Sequence, residues 1–108
     1  MDDDERSQIV NTKKSGELFS LANKVVVVTG GAGLLGQVFC QALVDVGAHV
    51  AIVDLNLESA ETVAKRINKS EAQKVVAVGS DITSPESVTQ MVTNVVKQLG
   101  RIDVLVNN

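Results

Sequence analysis

Val25-Val26-Val27-Val28-Thr29 runs directly into Gly30-Gly31-Ala32-Gly33-Leu34-Leu35-Gly36, and that junction limits what the chain can become. Four successive β-branched residues make a strand too apolar to face water on either side, so it belongs inside a sheet covered on both faces. Gly31 to Gly36 reads G-x-G-x-x-G, and Gln37 to Val46 continues with helical spacing. The first glycines allow a turn with positive φ, and a missing side chain lets a pyrophosphate approach the backbone. Gly36 would let the helix pack close to the strand. The helix start offers unpaired N–H groups and a positive dipole end, both suited to phosphate. The same glycines could also form a turn with no ligand, and the motif alone does not choose.

A carboxylate further along makes the choice. Asp54 closes the next apolar run, His49-Val50-Ala51-Ile52-Val53-Asp54. It lies close to the ~20-residue offset at which an acid binds the ribose of a dinucleotide. Dinucleotide binding is the expectation, and an ordinary turn acid capping the next helix is the alternative for Asp54.

From Lys24 onward strand and helix patterns alternate. Strands are expected over about 24–29, 50–54, 74–79 and 102–106. The first helix, about Leu34 to Val46, would bury Leu35, Val38, Phe39, Ala42, Leu43 and Val46, with Gly47 as its C-terminal cap. Asn56 is an N-cap for a helix to about Asn68 that buries Ala60, Val63, Ala64 and Ile67. A third helix begins either with Ser84 as N-cap and Pro85 at the first position, or with a Thr83/Glu86 capping box. Its apolar face is Val88, Met91, Val92, Val95, Val96 and Leu99, and Gly100 ends it. Aromatic residues are only 2% of the chain, so the core must be Val, Ile, Leu and Ala.

Alternation with short turns implies right-handed crossovers and a parallel sheet. The fold class expected is α/β, the N-terminal half of a Rossmann-like doubly wound sheet in order 3-2-1-4. Residues 1–17, polar and led by Asp2-Asp3-Asp4-Glu5, read as a flexible tail, and 18–108 as the dinucleotide-binding domain. Leu18-Phe19-Ser20-Leu21 would cover one end of the sheet. The glycine turn, Asp54, Asp81 and Asn107-Asn108 all fall at the carboxyl ends of strands, where such sheets bind ligands. An apolar fourth strand as the last element leaves a bare edge, so the chain reads as truncated.

A net charge of −3 gives no reason to expect nucleic acid or an anionic membrane as partner. No apolar run approaches the ~20 residues that span a bilayer. The lone Cys40 suits a reducing compartment, and the acidic start is the reverse of a secretory signal, so the cytoplasm is the default. Cys40 reads as a small packing residue. No metal ligand set is expected.

Several segments together resemble the short-chain dehydrogenase/reductase family. Asn23-Lys24-Val25-Val26-Val27-Val28-Thr29-Gly30 looks like its first strand and Thr-Gly opening. Asp81-Ile82-Thr83 is similar to the aspartate after the third strand whose side chain meets the adenine. Ile102-Asp103-Val104-Leu105-Val106-Asn107-Asn108 resembles the strand entering an Asn-Asn-Ala-Gly motif, cut after the second asparagine. One departure stands out: Leu34 occupies the middle glycine of T-G-x-x-x-G-x-G. Thr29, Gly30, Gly33 and Gly36 match instead the T-G-x-x-G-x-x-G of the extended branch, with its sugar-nucleotide epimerases and dehydratases. The Asn-Asn ending and Asp81-Ile82-Thr83 favour the one-domain oxidoreductases.

The cofactor-binding residues expected are Thr29, Gly30, Gly31, Ala32, Gly33, Leu34, Leu35, Gly36, Asp54, Leu55, Asp81, Ile82, Asn107 and Asn108. The family's catalytic serine, tyrosine and lysine lie beyond Asn108, so no catalytic residue is carried over. His49, Asp45 and Asp103 read as residues away from the cofactor, and Lys65, Arg66 and Lys69 as a solvated helix face. Asp54 favours NAD, because a carboxylate accepts from ribose hydroxyls and repels a 2′-phosphate, and no basic residue sits in the turn. The resemblance implies an NAD-dependent oxidoreductase interconverting a secondary alcohol and a carbonyl, with this chain supplying the cofactor part. It further implies a small-molecule substrate and a homo-oligomer in the full-length protein. The rival readings are an NAD-dependent sugar-nucleotide epimerase or dehydratase, and a non-catalytic nucleotide-binding fragment.

Overall fold

The valine strand lies at the centre of a computed structural model that describes residues 20–67 and 71–108. Strand β1 (Val25–Thr29) is buried along its whole length, as four β-branched residues in succession require. The described elements follow as α1 (Leu34–Asp45), β2 (His49–Asp54), α2 (Leu57–Ile67), β3 (Val75–Gly79), α3 (Pro85–Leu99) and β4 (Val104–Asn107). The sheet order is β3-β2-β1-β4, and every pairing is parallel. The expected α/β sheet is therefore the observed one. Val27 stands level with Ala51 on one side and Leu105 on the other.

Alternate side chains of the strands serve two separate cores. Val26, Val28, Val50 and Ile52 meet Cys40, Val44, Ala60, Val63, Ala64 and Ile67 under α1 and α2. On the opposite face, Val25, Val27, Ala51, Val53 and Val78 meet Met91 and Val95 of α3. Leu21 packs on the first core, whereas Leu18, Phe19 and the expected tail lie outside the described residues. Burial pushes the Cys40 thiol up to about 11, consistent with a packing role.

Helix ends follow the local chemistry. Asn56 Oδ1 accepts from the Ser59 N–H at 3.1 Å. At α3 the Ser84 hydroxyl accepts from the Ser87 N–H with Pro85 in the first turn, which selects that cap over a Thr83/Glu86 box. Gly47 and Gly100 have φ of 96° and 92°, the left-handed turn that closes α1 and α3.

One expected face is reversed. The residues of α1 that are buried are Gly36, Cys40 and Val44. Leu35 is 57% exposed and Val38 60% exposed, and Phe39, Ala42 and Val46 also face outward, while Leu43 is half-buried. The cause is Gly36. Its Cα lies so near the glycine turn that a Cβ there would sit 2.8 Å from Gly31 Cα. That approach sets the rotation of the helix, and the small residues one and two turns later follow it inward. In α3 the buried face is narrower than expected, because Val92 and Val96 are exposed. On β4, Val104 and Leu105 are exposed as well.

The end of the sheet opposite the glycine turn is tied by Asp103. Its Oδ2 accepts from the Val25 N–H at 2.8 Å and from Arg101 Nε at 2.8 Å, and Arg101 also donates to the Asn23 carbonyl. The Val25 N–H, and after it the guanidinium, hold the Asp103 carboxyl below the usual carboxylate range. A carboxyl with a lowered folded-state pKa contributes stability that is present above its unfolded value and lost as pH falls through the folded value. The stability difference between the wild type and Asp103→Ala should therefore be largest near neutrality. It should shrink below about pH 4, as read by urea unfolding across pH. A difference that stays constant from pH 7 to pH 3 would mean the carboxylate charge plays no part.

Candidate cofactor site

All the strands point their carboxyl ends the same way, so the loops that follow β1, β2, β3 and β4 gather at one edge. After β1 the chain turns at Gly30, whose φ of 63° suits a residue without a Cβ. Gly31 does not have positive φ. It is a glycine for want of space, since a Cβ would fall 2.7 Å from Ile52 Cγ2. Gly36 touches the turn more than the strand. Gly33 is different again: its φ of −71° is ordinary, and a Cβ there would meet only the Gly30 carbonyl, at 3.3 Å. Gly33 is exposed, so the missing side chain leaves open surface above the turn.

Gly33 is also the N-cap of α1, and it has no side chain to cap the helix. The first intrahelical bond runs from Gln37 N–H to the Gly33 carbonyl. The N–H groups of Leu34, Leu35 and Gly36 precede it, at the positive end of the helix. Such a site accepts phosphate without any cationic side chain. The side chains of Leu34 and Leu35 beside it are exposed, at 88% and 57%.

Next to the turn lies a cleft of about 280 Å³. Gly30, Asp54, Leu55, Asp81, Ile82 and Asn108, six of the residues expected from sequence, line it. Val53, Ser80 and Thr83 complete the lining and were missed. They had a readable signal, since each adjoins or follows closely on a strand end already marked by Asp54 or Asp81.

Asp54 bridges the turn and its own loop. Oδ2 accepts from the Ala32 N–H and Oδ1 from the Asn56 N–H, both at 3.1 Å. The turn-acid and ribose readings of Asp54 are thus compatible, because a carboxylate has about four acceptor positions and two are used here. Asp81 is held just as firmly: it accepts from the Thr83 hydroxyl at 2.6 Å and the Thr83 N–H at 3.0 Å. Those bonds, the hydroxyl first, keep the Asp81 carboxyl below its ordinary range. Its own N–H donates to Ser87 Oγ, which also lies 3.2 Å from the buried Ser80 hydroxyl.

Thr29 and Asn107 stand behind the cleft. The buried Thr29 hydroxyl donates to Asn107 Oδ1 at 3.1 Å and accepts from the Asn108 N–H at 3.2 Å. Asn108 Nδ2 reaches the Gly30 carbonyl at 3.1 Å. The asparagine pair thereby fastens the end of β4 to the glycine turn. His49 lies at the far end of its strand, with Nδ1 accepting from the Lys74 N–H.

Comparison with known proteins agrees with this arrangement. The short chain dehydrogenase family model matches residues 24–108. The chain belongs to the short-chain dehydrogenase/reductase family. It is similar to a short chain dehydrogenase/reductase, dpmpG, of Macrophomina phaseolina, with 35% identity over 94 residues, 87% of this chain and 54% of the relative. Among solved structures it resembles the 3-ketoacyl-(acyl-carrier-protein) reductase of Brucella melitensis complexed with NADH, at TM-score 0.72 and 32% identity, over 80% of this chain and 34% of that one. It also resembles RhlG of Pseudomonas aeruginosa in a complex with NADP, at TM-score 0.74 and 32% identity, over 83% of this chain and 36% of that one. The chain spans about half the length of the curated relative and about a third of each solved structure.

Gly36 and Gly33 separate by experiment. Gly36→Ala forces a Cβ into the turn and should cost about 1–3 kcal/mol of folding stability, as overpacked positions do. Gly33→Ala brings its Cβ to 3.3 Å from the Gly30 carbonyl, tight but not overlapping, and should cost less. Denaturant midpoints of the two variants measure the contrast, and equal losses would refute the assignment of Gly36 as the packing contact.

Proposed function

We propose that this chain is the cofactor-binding part of an NAD-dependent oxidoreductase that interconverts a secondary alcohol and a carbonyl in a small-molecule substrate. The observation that carries the reading is one cleft lined by Gly30 of the glycine turn, Asp54 and Asp81, with the bare α1 N-terminus following directly from that turn. The residues present fit a dinucleotide. The open surface over Gly33 and the N–H groups of Leu34, Leu35 and Gly36 would hold the pyrophosphate. Asp54 would accept from the adenosine ribose hydroxyls. Asp81 and Ile82, the latter exposed beside the cleft, would flank the adenine. Bound there, the cofactor would supply hydride transfer.

The preference for NAD rests on charge. A 2′-phosphate would approach the Asp54 carboxylate, and at ~4 Å and an effective dielectric of 20 each unit of like charge costs about 4 kcal/mol before relaxation. Relatives holding NADH and NADP both exist, so the fold permits either and the local residues decide. The residues that follow Asp54 are Leu55, Asn56 and Leu57, none of them cationic. The acid, base and substrate groups of the reaction are assigned to other parts of a longer protein, within which this domain would pair with further copies.

Asp54 performs two tasks, and two substitutions pull them apart. Asp54→Asn keeps an acceptor for the Ala32 N–H but removes the charge. It should weaken NAD by roughly the 1.5–3 kcal/mol of a charge-assisted bond and improve NADP relative to NAD. Asp54→Ala also releases the turn, so it should bind both cofactors less well than Asp54→Asn. Gly33→Val should weaken both cofactors alike. Calorimetric titration of the full-length variants with each cofactor reads these effects. An Asp54→Asn variant that loses NAD and NADP equally would defeat the NAD assignment.

A further inference from the structure

The peptide plane that carries Gly33 is held from outside the turn. Its N–H donates to the Gly30 carbonyl at 3.1 Å. Its other end, the Ala32 carbonyl, accepts from Gln37 Nε2 at 2.8 Å. The amide oxygen of Gln37 is in turn met by the guanidinium of Arg66, which projects from the last turn of α2. The preceding peptide is held from the opposite side, through the Ala32 N–H and Asp54. Four elements thus converge on two consecutive peptides: the turn, α1, α2 and the end of β2.

We propose that Gln37 and Arg66 are positioning residues for the cofactor turn, with Gln37 fixing the Ala32–Gly33 peptide and Arg66 fixing Gln37. The inference rests on the reading of this turn as the pyrophosphate site and identifies what orients it. A glycine next to a two-glycine turn has wide backbone freedom, and only one orientation of the Ala32–Gly33 peptide lets its N–H meet the Gly30 carbonyl and so fixes where α1 begins. A primary amide suits the task because it donates and accepts at once. Nε2 donates to the backbone, which leaves Oε1 for a cation on the neighbouring helix. The contact also orients the amide, since a guanidinium can only donate. Arg66 therefore has a use beyond the solvated face that its helical position suggests. The pair reaches Gly33 through the backbone and touches no cofactor atom itself.

Three variants of the full-length protein test this. Gln37→Glu is isosteric and keeps an acceptor for Arg66, yet it cannot donate to the Ala32 carbonyl. Arg66→Met removes the guanidinium from an exposed site where folding should be unaffected. Arg66→Lys keeps a cationic donor. Two readouts are taken: NAD and NADP affinity by titration, and amide exchange at Gly33 in the cofactor-free protein. Gln37→Glu should weaken NAD and NADP equally, roughly three- to tenfold, as loss of one hydrogen bond implies. It should also speed exchange at Gly33 while leaving β2 amides unchanged. Arg66→Met should give a smaller loss of the same kind, and Arg66→Lys should recover affinity to within about twofold of wild type, since it restores a donor to Oε1.

If Gln37→Glu binds both cofactors as the wild type does, with unchanged Gly33 exchange, the proposal is overturned. It is also overturned if Arg66→Met and Arg66→Lys are indistinguishable from each other. A wild type that binds neither NAD nor NADP would instead defeat the pyrophosphate reading. The exchange rates at Gly33 would then still report, independently, whether Gln37 holds the turn.

Discussion

The contact between Gly36 and the glycine turn governs the rest of the arrangement. With no Cβ on Gly36, α1 begins directly against Gly30 and Gly31. That closeness sets where the helix axis starts and how far the helix is rotated. The rotation brings Cys40 and Val44 onto the sheet and leaves Leu35, Val38 and Phe39 outside. A helix placed by burial of its largest apolar stripe would sit the other way round. The hydrophobic effect rewards buried area without direction, whereas a clash with a backbone carbonyl is short-ranged and absolute. Here sterics at one residue decide, and burial accommodates.

The same logic runs through the strand ends. A parallel sheet places all its carboxyl ends on one edge, which gathers the loops but does not fix their conformations. Fixing is done by polar groups reaching between them. Thr29 and Asn108 join β4 to the turn, Asp54 joins β2 to it, and Ser87 joins the loop after β3 to α3. In three of these ties a backbone N–H, that of Asn108, Ala32 or Asp81, donates to a side chain of another element, so the loops satisfy one another's hydrogen-bonding needs. The N–H groups of Leu34, Leu35 and Gly36, which precede the first intrahelical bond of α1, are the ones the proposed site would offer to an anion.

Much of this was legible in the chain because the periodicities are strong. Four valines before a glycine cluster admit a buried central strand and little else, and strand order followed from the reversal after the third strand that a doubly wound dinucleotide-binding sheet makes. The faces of α2 were readable because its apolar and charged residues segregate cleanly. Those of α1 were not, since apolar residues occupy both sides of that helix and only the packing of Gly36 distinguishes them. Asp54, Asp81 and Asn108 were found at the cleft because strand ends are predictable from pattern. Ser80, Thr83 and the reach of Arg66 to Gln37 depend on how loops and helices stand in space, which no local spacing encodes.

Asp54 illustrates why structural and functional readings of a residue need not compete. Its carboxylate binds two backbone N–H groups, one in its own loop and one in the turn. A side chain held at both oxygens has lost its rotamer freedom before any ligand arrives, so that part of the entropic cost of binding is borne by folding. Asp81 is fixed at one oxygen, Oδ1, by both donors of Thr83. Two carboxylates locked in place on one edge of a sheet present their remaining lone pairs in defined directions. A ligand with two hydroxyls on a ring can meet such acceptors without reorganising them, and one bearing a phosphate there cannot avoid the charge. In the proposed dinucleotide site, rigidity built for the fold would thereby become discrimination.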